Sequence, residues 1–212
     1  MFSVYLYSNQ LTIKNSNIMK TIELKDLNRI IEINYSDFGN PRENDNLGTM
    51  VCFHGRYNLG DKHKYYSNDY NSFGEMEKAI IRKENVAVIL PLYLYDHGNI
   101  TISTSPFSCR WDSGQIGFIF ISKEKVLKEF GGKIVTKKLK ERITNYLNSE
   151  ITEYDKYISG EVFEFKVIDT ITNEEIDSCC GFLGDDANNG IYDYLNIEGL
   201  TYERYEEEYN NN

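Results

Sequence analysis

This chain of 212 residues is short of several things at once: three prolines, three histidines, four cysteines and a single tryptophan. Few cysteines in a chain of this length argue against a disulfide framework and for reduced thiols. Cys52, Cys109, Cys179 and Cys180 are therefore read as free. No apolar run approaches the roughly 20 residues needed to cross a bilayer as a helix. Residues 1–18 lack a basic start followed by an apolar stretch, so no secretory signal is expected. Basic charge is also scarce. With 23 Lys and Arg against 33 Asp and Glu, the net charge is −10. Such a balance disfavours general binding to nucleic-acid backbone and to anionic membranes, both of which attract Lys and Arg. The expected partners therefore include neither nucleic acid nor membrane, and the oligomeric state is left open. The phosphate-loop pattern GxxxxGK[ST] and the metal spacings CxxC and HxxxH are missing too.

What is present describes a globular chain, with 41% hydrophobic and 14% aromatic residues, 17 of them Tyr. The length fits one domain over residues 1–212. Met19 reads as an alternative start, which makes residues 1–18 an N-terminal extension; residues 185–212 form an acidic C-terminal segment. The chain is organised around Val86–Ile121. Val86–Tyr95 reads as a buried strand with Pro91 at a bulge or an edge. The stretch from Asp96 to Asn99 is a turn, and the alternation from Ile100 to Thr104 marks a second strand. Ile116–Ile121 returns as a third. Three strands with short connections suggest an antiparallel meander, with Asp96, His97, Cys109, Trp111 and Asp112 gathered where the sheet ends.

Elsewhere Phe2–Tyr7, Ile30–Tyr35 and Thr49–His54 read as strands, and Asp37–Leu47 as an exposed loop. Ser72 with Glu75 is a capping box that opens a helix ending near Asn85. Ser122 caps a short helix that stops at Gly131-Gly132. Thr136 opens the longest helix, to about Ile158, with one apolar face directed at the sheet. Val162–Val167 alternates, with Phe163, Phe165 and Val167 inward, and a turn over Thr170–Glu175 leads to Ile176–Phe182. Ile191–Leu195 reads as a final short helix. The expected fold is α+β: a mainly antiparallel sheet with one long helix packed on a face.

Four groups of residues carry candidate chemistry. Cys109 and His97, with Asp96 or Asp112 to orient the imidazole, would make a thiolate–imidazole nucleophile. A turn histidine beside a buried loop cysteine is the commoner meaning of such a pair. Cys52, His54, Asp61, His63 and His97 offer zinc donors without zinc spacing, so no metal and no cofactor is expected. Arg56, Tyr57 and Asp61 form a Gly-containing loop that could present amides to an anion, though a structural turn is the more frequent outcome. Trp111 is expected to fold back and plug the sheet end, with a ligand site as the lesser alternative. Finally, the segment Asp185–Glu208 is dominated by carboxylates against the single base Arg204. There, Glu203, Glu206, Glu207 and Glu208 could stand in for phosphates against a basic groove.

The strings RYNLGD at Arg56–Asp61, LPLYLYDH at Leu90–His97, FSCRWDSGQIG at Phe107–Gly117 and DSCCGF at Asp177–Phe182 share a pattern. It resembles a family of small proteins of bacteriophages and bacterial mobile elements, over about residues 50–184. The family has Ser where this chain has Gly98-Asn99, and often an aromatic at Cys180. The family supplies no mechanism. It implies an accessory protein in the bacterial cytoplasm that binds and inhibits a host nucleic-acid-targeting defence, restriction or CRISPR, through a partner with a basic surface. Two other readings stand beside it: a Cys/His hydrolase or metal-dependent enzyme on the Asp96, His97, Cys109 and Asp112 cluster, and a small-ligand or nucleotide-signal sponge using the same loops.

Overall fold

The computed structural model describes residues 18–24, 27–37, 39–184, 190, 191 and 194. Among the described residues, two four-stranded antiparallel sheets and three α-helices make up the α+β fold. The first sheet has the order β1-β2-β7-β8, from β1 (Ile18–Leu24), β2 (Arg29–Tyr35), β7 (Val162–Asp169) and β8 (Glu175–Leu183). The second has the order β3-β6-β4-β5, from β3 (Thr49–Cys52), β4 (Val86–His97), β5 (Asn99–Ser103) and β6 (Ser113–Ser122). The helices are α1 (Phe73–Lys83), α2 (Lys123–Phe130) and α3 (Lys137–Ile158). Where one sheet was expected, the strands divide into two, each with its own core.

All three helices begin on a hydroxyl. Ser72 Oγ accepts from the Glu75 amide at 3.2 Å, Ser122 Oγ from Lys125 at 3.1 Å, and Thr136 Oγ1 from Leu139 at 3.2 Å. Each such cap satisfies one of the orphan amides that a helix start leaves open. Glu75 reaches back as a capping-box Glu does, though to the Asn71 amide. Those Asn71 hydrogen bonds hold its carboxyl below the ordinary glutamate range.

The meander expectation is corrected. β5 pairs with one edge of β4, over Tyr93–His97, while β6 pairs with the other edge along most of its length. The third strand therefore returns beside the first. The outer edge of β5 is already occupied: Asp155 on α3 accepts from Thr101 Oγ1 and from the Ile102 amide, both at 2.7 Å. The loop between β5 and β6 instead crosses the sheet end to the free side of β4. At Pro91, β4 has β6 on one side and nothing from β5 on the other, so an open edge is available where proline is tolerated. That matches the edge position read for it.

β6 explains itself from its composition. Ile116, Phe118, Ile119, Phe120 and Ile121 are all buried, a continuous run that demands cover on both faces. On one side Ile119 and Ile121 meet Ile143, Leu147, Ile151 and Tyr154 of α3. On the other, Phe118 and Phe120 meet Met76 and Ile80 of α1. The long helix packs as expected, but α1 covers the opposite face. In the first sheet Ile31, Ile33, Phe163, Phe165 and Val167 are buried with Leu24 and Ile191. Tyr194 lies against Phe165 and Phe182, with centroids 5.3 and 6.2 Å apart. The strand read at Phe2–Tyr7 lies outside the described residues, as does most of the closing helix.

Candidate functional site

Antiparallel pairing puts the end of β4 and the start of β6 on one rim, because Tyr95 stands opposite Ser113. The turn at Gly98, with φ of +84°, then reverses β4 into β5 within one residue. The Asp96 amide donates to the Asp112 carbonyl at 2.8 Å, which ties the tryptophan loop to the Asp–His turn. The expected gathering of Asp96, His97, Cys109, Trp111 and Asp112 is thus observed.

Its internal order differs from a nucleophile–base pair. Cys109 Sγ donates to Asp112 Oδ2 at 3.3 Å. His97 Nδ1 approaches the same oxygen at 3.3 Å, on a ring that is mostly exposed. Asp112 therefore contacts both thiol and imidazole. No hydrogen bond joins Cys109 to His97 among the described residues. A thiol needs its base within direct reach to be activated, and here it reaches a carboxylate.

Asp96 faces the other way. Its carboxylate pairs with Arg56, lies 3.5 Å from the Tyr57 hydroxyl and 3.9 Å from His54 Nε2. His54 stacks on Tyr57 with centroids 4.9 Å apart and accepts at Nδ1 from the amides of Arg56 and Tyr57. The loop read as a binding loop is folded against the rim by these contacts. Beside it lies an open cavity of about 530 Å³ between Phe53, His54, Tyr57, Asn58, His63 and Ser67.

Trp111 overturns its expectation. It is 95% exposed and plugs nothing. Phe107, half-buried on the same loop, lies with its ring 5.8 Å from that of Tyr95. The loop carrying Trp111 is nonetheless pinned, by Ser113 Oγ donating to the Cys109 carbonyl and by the Cys109–Asp112 contact. A full indole is held in solvent on a constrained loop.

The remaining candidates separate. Asp61 does not face the rim: both its oxygens are engaged by Arg42, and Oδ2 also accepts from the Met50 amide. Arg42 binds Glu150 on α3 as well, at 2.9 Å. Burial alone would lower the Arg42 pKa, but the two carboxylates together raise it above the ordinary value. Cys52 is buried in the main core, and burial pushes its thiol pKa up to about 12, so it offers no thiolate. His63 Nε2 meets the Cys52 carbonyl at 3.1 Å. Among the described residues no group of three or more His, Cys, Asp or Glu is placed to hold a metal ion. Cys179 packs on the first core while Cys180 is exposed, so the pair alternates as expected. Glu203, Glu206, Glu207 and Glu208 lie outside the described residues. Among the described residues no helix is long and apolar enough to cross a membrane.

Fold and rim together define a chain of two antiparallel sheets whose second sheet presents an aromatic, charged edge. Compared with family models, curated proteins and solved structures, the chain matches none of them.

Proposed function

We propose that this chain is a non-enzymatic binding protein that docks through the rim of the second sheet, with Trp111, Arg56 and Tyr57 as its anchors. The observation that carries this reading is the exposed indole on a pinned loop. Trp, Tyr and Arg dominate binding energy at interfaces, because rigid or planar side chains bury large areas at small entropic cost. Arg56 is exposed and its guanidinium lies 5.5 Å from the Tyr57 ring centroid, so two anchors stand together. The resemblance of the rim motifs to small bacteriophage and mobile-element proteins suggests the setting: an accessory protein that inhibits a host nucleic-acid-targeting defence. Glu203, Glu206, Glu207 and Glu208 would add carboxylates against a basic partner.

The test is phage plating on bacteria that carry a restriction or CRISPR defence. Expression of the chain should restore plating, Trp111→Ala should abolish the effect, and Cys109→Ala should leave it intact. Truncating an interface tryptophan costs about 2 kcal/mol or more, roughly thirtyfold in affinity. Full protection by Trp111→Ala would remove the rim from the interface, and failure of the native chain on every protected host would remove the anti-defence reading.

A second reading is a small-ligand sponge, which would use the open depression between His54, Tyr57 and His63. A sponge would show a melting temperature that rises with free ligand. The Cys/His hydrolase draws less support, because the Cys109 thiol donates to Asp112 and no hydrogen bond joins it to His97 among the described residues.

A further inference from the structure

The net charge of −10 conceals a strong local exception. Residues 123–142, which span α2, its connecting loop and the start of α3, hold eight Lys and Arg against three Glu. The rest of the chain therefore holds 15 Lys and Arg against 30 Asp and Glu. Lys123, Lys128, Lys133, Lys137, Lys138 and Lys140 are all exposed. None of them is in an ion pair among the described residues.

Local stability does not explain this arrangement. The first turn of α3 has no acidic residue, and three lysines stand in or beside it. The amino end of a helix carries partial positive charge from its unpaired amides and favours carboxylates. Lysines there are mildly destabilising, and they add to a positive potential already present.

We propose that the α2–α3 corner docks the phosphate backbone of duplex DNA. Lysines and helix amino ends are the groups that contact phosphate without reading sequence. The shape of the ligand decides between polyanions. Charge acts over about 8–10 Å at moderate salt. A narrow duplex can meet the basic corner alone, within that range of charge. A flat anionic bilayer has no comparable way to avoid the acidic remainder, and the one exposed apolar side chain in the loop, Ile134, is too little to insert. Single strands need stacking platforms. The aromatic rings here, Phe130 and Tyr146, are packed together and under the Arg142 guanidinium. Contacts to phosphate carry no sequence information, so binding is independent of sequence. The inference stands apart from the rim and can fail or hold without it.

The full chain is titrated into a fluorescent DNA duplex at several salt concentrations, with a single strand and anionic phosphatidylserine vesicles in parallel. Binding to duplex is expected at low salt, falling with a log–log slope of about −4 if four to five phosphates are neutralised. The variant Lys137→Glu/Lys138→Glu/Lys140→Glu should weaken binding by about tenfold or more. Its melting temperature should hold or rise, because carboxylates suit that helix end. Lys62→Glu/Lys78→Glu/Arg82→Glu, which makes the same change in charge elsewhere, should bind nearly as the native chain does. The proposal is overturned if native protein leaves the duplex free at low salt, if the α3 variant binds equally well, if both variants lose equally, or if single strands or vesicles bind better than duplex.

Discussion

Replacing Arg42 by Met is expected to destabilise the protein by about 3–5 kcal/mol, the usual cost of removing one partner from a buried ion cluster. The side chain of Arg42 is only 2% exposed, and it holds three parts of the chain together. Its Nε and Nη2 bind the two oxygens of Asp61 at 2.8 and 2.7 Å, its Nη1 binds Glu150, and Nη2 also donates to the Gly48 carbonyl. Glu150 in turn accepts from the amides of Leu47 and Gly48. Without the guanidinium, two partly buried carboxylates lose their counter-charge. Methionine replaces much of the volume, so the loss is electrostatic more than steric. Domains are commonly stable by only 5–15 kcal/mol, so the urea midpoint should drop steeply. The variant Arg42→Met/Asp61→Asn/Glu150→Gln, which removes every charge, should recover part of that loss. A single variant as stable as the native protein would mean that the cluster is solvated and contributes little.

Gly117→Ala is the second change with a large expected effect. Gly117 pairs with Cys52 where β3 meets β6. A Cβ on Gly117 would lie 1.8 Å from the Val51 carbonyl oxygen, which is main chain and cannot rotate away. Ordinary overpacking costs about 1–3 kcal/mol, and a clash with backbone inside a ladder should exceed that. A loss of about 3 kcal/mol lowers the melting temperature of a chain this size by roughly 6–12 °C. Gly114→Ala, three residues away on the same strand with open space at its Cβ, should be close to neutral. Equal melting temperatures for the two variants would contradict the close approach of β3 to β6.

Local features were legible in the sequence because local chemistry determines them. Ser72, Ser122 and Thr136 announce helix starts, since a hydroxyl before an apolar repeat has one efficient use. The rim was legible for the same reason: an antiparallel turn at Gly98 brings the end of β4 beside whatever strand pairs with it. The pairing order was not. Adjacent strands usually pair in sequence, but here Asp155 of α3 binds β5 and β6 pairs with the other edge of β4. Two-sided burial of β6 could have been read from its unbroken apolar run, which fits a strand with helices on both faces. Trp111 was misread because tryptophan is on average well buried, and nothing local signals its exposure. The Arg42 cluster was invisible because its partners lie 19 and 108 positions away. Asp61 accordingly looked like a ligand-facing residue and is a structural one.

The proposed docking role of the β4–β6 rim requires Trp111 and does not require the Cys109 thiol. Its most direct test is capture from a bacterial lysate with three immobilised proteins side by side: native, Trp111→Ala and Cys109→Ala. One specific protein should be retained by native and by Cys109→Ala and lost from Trp111→Ala. Retention by Trp111→Ala, or loss from Cys109→Ala with the fold intact, would contradict it.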